Sequence, residues 1–324
     1  MEIFNHNANF NFLGLRRFSI GLAVLLMLAS IGLIVTKGFN YGQDFLGGVS
    51  VSVAFQNPVD TNEVRDALEK HGIAEPLVQA VGGTREVAVR LLPKDDAKDP
   101  GAAAAPKGDE AAARIAKDVV AAIQVTRPDA SMKEYSFVGP QVGEELRSDG
   151  IYAVIFVIVG IMGYLWIRFE KRFAIAALAT EVHDVLVTLG IFAITQRQFD
   201  LTVLASVLAV VGYSINDKVV VFDRVRELFR SSRNATPEEV LNRSINSTLS
   251  RTIITSLFTG ITMAALFFIG GPVVHGFAIT MLIGIVVGTL SSIFVASPIL
   301  LWLGVSKQDL MPRAKEDPEL ARRP

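Results

Sequence analysis

The 324-residue sequence predicts a helical membrane protein, a bundle of six transmembrane helices carrying one small α+β domain outside the bilayer. Three observations lead there. Hydrophobic residues make up 51% of the chain and charged residues only 19%, against about 25% charged in a typical soluble domain. Mean hydropathy is +0.42, and the apolar residues fall in six long runs rather than in the short alternations of a soluble core. One long polar stretch, residues 37–149, separates the first run from the second.

The runs are Phe18–Thr36, Ile151–Ile167, Phe173–Thr195, Leu201–Phe222, Ile253–Ile269 and Phe277–Leu303. A helix needs about 20 residues to cross about 30 Å of hydrocarbon, so the second and fifth runs, 17 residues each, borrow from their flanks. The first run reads as a retained anchor, because Lys37-Gly38-Phe39-Asn40 follows it in place of a small-residue cleavage site. With Arg251 assigned to the head of the fifth helix, Lys and Arg in the short loops sort 15 to 1, with Arg197 alone in the minority. By the positive-inside rule both termini are cytoplasmic, and the 113-residue loop 37–149 lies outside. The expected organisation is therefore a cytoplasmic segment 1–17, a first span 18–36, an external domain 37–149, five further spans in 150–303 and a cytoplasmic tail 304–324.

Within the external loop, Val49–Phe55 reads as a strand and Thr61–His71 as an amphipathic helix, with Thr61 as N-cap and Val64 and Leu68 on one face. Leu77–Val81 and Glu86–Leu92 form a hairpin around Gly82-Gly83. Glu110–Val125 is helical, with Ile115, Val119 and Ile123 at four-residue spacing, and Met132–Val138 is a last strand. The order βαββαβ is that of a ferredoxin-like domain. Residues 93–109, rich in Pro, Gly, Ala and charge, read as a flexible insertion. The acids of this domain are spread over its surface and outline no enzyme site.

Composition excludes several chemistries. The chain has no cysteine, hence no thiolate metal site, iron–sulfur cluster or Cys nucleophile, and its four histidines are scattered. A net charge of −1 provides no field for nucleic acid. No phosphate-binding Gly-Lys-Ser/Thr loop is present, and no cofactor is expected.

The informative residues are ionisable groups inside the apolar runs. Asp217 and Lys218 interrupt the fourth, at about 2.5–3.5 kcal/mol each on insertion scales. They mark either a pathway with buried partners or an early exit to the cytoplasm. Ser206, Tyr213, Asp217 and Arg224 share one helical face, and Asp223 points about 120° away. Along the fifth helix, starting just ahead of its apolar run, Arg251, Thr255, Thr259 and Thr262 form a polar stripe. Arg251 sits at the depth of Asp217, either as its ion-pair partner or as one more positive-inside charge. In the third, Thr180, Asp184 and Thr188 share a face near mid-membrane beside Glu181 and His183, which fits a proton relay or a hydrogen-bonded packing site. The sixth has a small residue at every fourth position, Gly276, Thr280, Gly284, Gly288, Ser292 and Ala296, a close-packing face, with Ile285 turned to lipid. Ahead of the fifth span, Thr236-Pro237-Glu238-Glu239 is a capping box. It opens an amphipathic helix, 237–250, expected at the cytoplasmic membrane surface with Val240, Leu241, Ile245 and Leu249 on its apolar side.

Five segments carry a resemblance over roughly residues 15–305: YGQDFLGG after the first span, VGPQVGEEL before the second, HDVLVTLG in the third, GYSINDKVVVFDRVRE in the fourth and LSRTIITSLFT opening the fifth. They resemble the SecF family, subunits of the SecDF protein-export complex within the resistance–nodulation–division (RND) superfamily. The small external loop favours SecF over SecD. The resemblance implies an RND-type bundle and no enzyme activity. It implies SecD, the SecYEG channel, YajC and a translocating preprotein as partners in the bacterial inner membrane, with the proton motive force as energy source. It places the family's fourth-helix carboxylate at Asp217 and its fifth-helix arginine at Arg251; Asp184 joins them as a candidate for the proton pathway on its own depth and neighbours. Lys218 stands where the family often has a small or hydroxylated residue, and the 93–109 insertion is no part of the core motif. The competing readings are a small-molecule or lipid exporter half of the same superfamily, a passive assembly scaffold, and an intramembrane hydrolase built on His183-Asp184.

Overall fold

The computed structural model describes residues 9–73, 76–81, 83–91, 108–232 and 234–306. The expected insertion 93–109 and tail 304–324 fall largely outside these residues, as does the start of the N-terminal segment. Among the described residues six helices are long and apolar enough to cross a membrane. In chain order the elements are α1 (Arg16–Lys37), β1 (Asn40–Tyr41), α2 (Gln43–Leu46), β2 (Gly48–Ala54), α3 (Thr61–Lys70), β3 (Leu77–Ala80), β4 (Glu86–Leu91), α4 (Asp109–Thr126) and β5 (Ser131–Val138). There follow α5 (Pro140–Arg168), α6 (Lys171–Thr195), β6 (Gln198–Phe199), α7 (Leu201–Ser231), α8 (Pro237–Ile269), α9 (Pro272–Ser291) and α10 (Ser297–Trp302).

Strands β3-β4-β2-β5 form one antiparallel sheet. Its interior face follows from strand alternation: Val49, Val51, Val53, Val87 and Val89 are buried against Val64 and Leu68 of α3 and Ala116, Val119 and Ile123 of α4. Leu68 and Ile123 are fully buried, each contributing about 1.5–3 kcal/mol. The fold is the ferredoxin-like βαββαβ unit. Helix α3 is capped by the carboxylate of Asp60, which accepts from Asn62 N at 2.9 Å, and not by Thr61. A short acid one residue earlier takes the capping position.

The segment YGQDFLGG is a joint between sheet domain and bundle. Tyr41 and Asn40 pair in parallel with Phe199 and Gln198, bringing β1 to the α6–α7 turn. Phe39, Tyr41, Phe45, Phe192 and Phe199 stack into one aromatic knot. Buried Gln43 donates to Gly48 O at 2.9 Å and Ser136 O at 3.0 Å, tying the ends of β2 and β5. Asp44 accepts from Leu201 N at 3.0 Å, adding a cap to α7 beside that helix's own N-cap Asp200. Gly47 has φ +73° and passes so close to Pro140 that a Cβ would lie 2.9 Å from its Cα, so both backbone hand and space require glycine.

In the bundle, α9 packs against α7 and α8, and α1 lies on α6. Three expectations are corrected. Residues 237–250 are no separate surface helix: α8 runs unbroken for 33 residues, and Val240, Leu241, Ile245 and Leu249 are buried in the bundle core. No Gly or Pro lies between Glu238 and Thr259 to end the helix, so only hydropathy changes there, not the backbone. The sixth span is not one α-helix, because Ser292–Ala296 form a π turn between α9 and α10. Pro298 has no N–H for the carbonyl four residues back, and the hydrogen-bond ladder shifts register around it. Finally, Ile285 is buried at 4% exposure; its neighbour Val286, at 57%, faces outward instead.

Candidate functional site

Helices α6, α7 and α9 meet around a polar cluster in the middle of the bundle. Successive residues on a helix point about 100° apart, so adjacent Asp217 and Lys218 of α7 serve different seams. Lys218 turns inward to α6 and is fully buried. Its Nζ donates to Glu181 Oε2, Asp184 Oδ2 and Ser214 Oγ, each at 2.7 Å. Asp184, also fully buried, collects further donors: Ser214 Oγ at 2.7 Å and Ser291 Oγ of α9 at 2.6 Å on Oδ2, with His183 Nδ1 at 2.9 Å from Oδ1. A bare ion at this depth is prohibitively costly. Here every ammonium hydrogen has an acceptor and the carboxylate has four donors, the condition under which a buried ion pair is tolerated. Thr180 and Thr188 share the buried face of Asp184 but turn their hydroxyls back to Ala176 O and Asp184 O, as helix-interior threonines do.

Asp217 looks the other way, toward α8. It is 4% exposed and makes no hydrogen bond or ion pair among the described residues, while Arg251 and Lys218 act on it through space. Arg251 is exposed and lies beyond ion-pair distance. Sequence reasoning put the two residues at one depth, as an ion pair or as unrelated charges, and the structure shows no direct contact between them. One turn from Asp217, Tyr213 OH donates to Ser256 Oγ of α8 at 3.3 Å, and Ser256 is 2.6 Å from Thr289 Oγ1 of α9. Asp184 belongs to the opposite seam, so α7 separates the two carboxylates.

The small residues of α9 set the spacing that makes this possible. A Cβ on Gly276 would lie 3.0 Å from Val203 Cγ2, one on Gly284 would lie inside the side chain of Val210, and one on Gly288 would be 2.7 Å from Ser214 Oγ. Close approach at Gly288 brings Ser291 onto Asp184. A second close approach, unread in the sequence, is Gly190 of α6 against Ser30 of α1. Lys218 as an internal partner was also missed. The available signal was two facing strips, Glu181/Asp184 and Ser214/Lys218, at i,i+3 and i,i+4 spacing on adjacent helices.

Six apolar spans, ionised side chains paired at the bundle centre and a ferredoxin-like domain jointed to one end define the class: a polytopic membrane protein with titratable groups inside the bilayer. The family model for "protein export membrane protein SecD/SecF, C-terminal" matches residues 118–306. Protein translocase subunit SecF of Pseudomonas aeruginosa is 40% identical over 309 residues, covering 95% of each chain. That of Vibrio alginolyticus is 40% identical over 96% of this chain and 95% of its own. The crystal structure of SecDF, described as a translocon-associated membrane protein, from Thermus thermophilus superposes with a TM-score of 0.80 at 33% identity, over 94% of this chain and 40% of the SecDF chain. The chain belongs to the SecF family of protein-export membrane proteins.

Proposed function

We propose that the chain is the SecF subunit of the Sec export machinery, using the proton motive force together with SecD to promote preprotein translocation across the bacterial cytoplasmic membrane. SecD is its direct partner, with SecYEG and YajC alongside, and both termini lie in the cytoplasm. The relatives' names and the 15-to-1 charge count support this reading.

The observation that carries the mechanism is Asp217, a buried carboxyl with no bonded partner and Arg251 within its electrostatic reach. A carboxyl that is not locked in hydrogen bonds can change charge without breaking a network. When Asp217 takes a proton, Arg251 loses its counter-charge and the α7–α8 seam can repack. One charge crossing 100 mV releases about 2.3 kcal/mol, enough to shift a two-state equilibrium about 50-fold. The cluster built on Asp184, across α7 and tied to α9 through Ser291, is the next station of the pathway.

The test is preprotein translocation into inverted vesicles, with and without an imposed proton gradient. Asp217→Asn keeps the size and hydrogen bonding but cannot ionise. It should accumulate and assemble normally and lose the gradient-dependent gain, whereas full retention of that gain would remove Asp217 as carrier.

A further inference from the structure

The cluster around Lys218 contains one more negative charge than it can balance. Lys218 contributes one positive charge, Asp184 and Glu181 two negative charges, and a neutral His183 none. Among the described residues the surroundings supply no remedy. Helix α9 brings Ser291 and Thr289; α1 has no ionisable side chain between Arg17 and Lys37; the π turn and α10 have none. Arg168 at the end of α5 is engaged with Asp223 at 3.0 Å. From α7 the next charge is Asp217, itself acidic, and from α8 it is the exposed Arg251, on the far side of α7.

The two carboxylates are not equivalent. Asp184 has four donors and keeps its charge. Glu181 has Lys218 on Oε2 only, and its Oε1 is buried with no partner. His183 is 8% exposed, its Nδ1 is committed to Asp184, and its Nε2 is likewise buried and unpartnered. A single proton, on Glu181 or on His183, brings the cluster to neutrality. The same ring lines two apolar grooves, of about 350 and 420 Å³, flanking α1, and Ala23 of α1 lines both beside it. His183 is thus the member of the cluster nearest a way out.

We propose that the Glu181–His183–Asp184–Lys218 cluster binds one exchangeable proton, at Glu181 or at His183, and is a proton-binding site distinct from Asp217, with Lys218–Asp184 as its fixed ion pair and His183 Nε2 as its door beneath α1. The proton occupies one seat at a time and is counted for the cluster as a whole, and exchange with the outside requires α1 to part from α6.

The experiment uses the purified full-length chain in detergent, without SecD or a gradient, so its result is separable from the export reading. Infrared difference spectra between neutral and alkaline pH are recorded on protein labelled with ¹³C in its glutamate or aspartate carboxyls, together with ¹⁵N-histidine spectra. The expected result is either a protonated carboxyl band that shifts with glutamate labelling and vanishes in Glu181→Gln, or an imidazolium signal that vanishes in His183→Gln. Both survive in Asp217→Asn, and wild type takes up one proton per chain more than Glu181→Gln. The isotope labels identify the residue type in wild type even if a variant fails to fold. Ionised Glu181 together with neutral His183 throughout the folded pH range would overturn the proposal.

Discussion

Replacing Gly284 by alanine is a sharp test of the helix packing. The added Cβ would fall within the side chain of Val210 on α7, and even the deeper Val210 Cβ would be only 2.9 Å away. Ordinary carbon–carbon contact is about 3.5–4.0 Å, so even with the Val210 methyls turned aside α7 and α9 must part locally by at least roughly 0.6–1.1 Å. A gap of about 0.5–1 Å forfeits a quarter to a half of the attraction across the seam, and overpacking of this kind costs about 1–3 kcal/mol. The strain reaches the charged cluster, because Ser291, two turns along α9, must stay 2.6 Å from Asp184. Gly212→Ala on α7 is the matched control: a Cβ there meets nothing within 4 Å, and alanine improves helix propensity by up to about 1 kcal/mol. Thermal unfolding in mild detergent should show a lower midpoint for Gly284→Ala, a lower one still for Gly284→Leu, and an unchanged or raised one for Gly212→Ala. Equal midpoints for Gly284→Ala and Gly212→Ala would refute the seam.

Two further outcomes are expected. Arg127 beside Asp129, Nε to Oδ1 at 3.0 Å, holds that carboxyl down at about 2 from an ordinary 3.8. A depressed folded-state value stabilises above the unfolded value and is lost as pH falls through the folded one. The difference in sheet-domain stability between wild type and Asp129→Asn, read by amide exchange in β5, should therefore be constant at neutral pH and close between about pH 4 and pH 2; a difference that persists at pH 2 contradicts the pair. Because the chain has no cysteine, single cysteines report topology directly: Thr84→Cys should react with an impermeant maleimide in intact spheroplasts and Ser231→Cys should not, the reverse pattern inverting the proposed orientation.

Much of this fold is legible in hydropathy, because a span must present apolar side chains along its whole length, and in strand alternation, because a sheet buries one face. Boundaries were less legible where composition changes but the backbone does not. Helix α5 begins at Pro140, eleven residues before the apolar run, since Pro at the first helical position starts a helix whatever the polarity that follows. Helix α8 likewise passes from polar to apolar without a break. Asp217 and Asp184 were visible as charges in apolar sequence. The partner of Lys218 was not, because that depends on which helix stands beside α7, a tertiary fact. Ile285 was misassigned for the same reason: both flanks of the small-residue stripe are apolar, and only the neighbouring helices decide which one lipid sees.

The unbroken length of α8 makes it a lever. Arg251 stands 14 residues from one end and 18 from the other, arms of about 21 and 27 Å at 1.5 Å per residue. A tilt of about 5° around that point, rigid because neither Gly nor Pro interrupts the rod until Gly260, would displace the two ends by about 2 Å in opposite directions. The shorter arm is held along its length: Asn242 and Asn246 take the backbone N–H groups of Phe12 and Phe10 at 2.9 and 2.8 Å, and Glu238 holds Arg16. The two asparagines stand one turn apart on α8, so the segment before α1 is gripped at two successive points. A movement begun at Arg251 would pull on the root of α1, the helix that lies over His183.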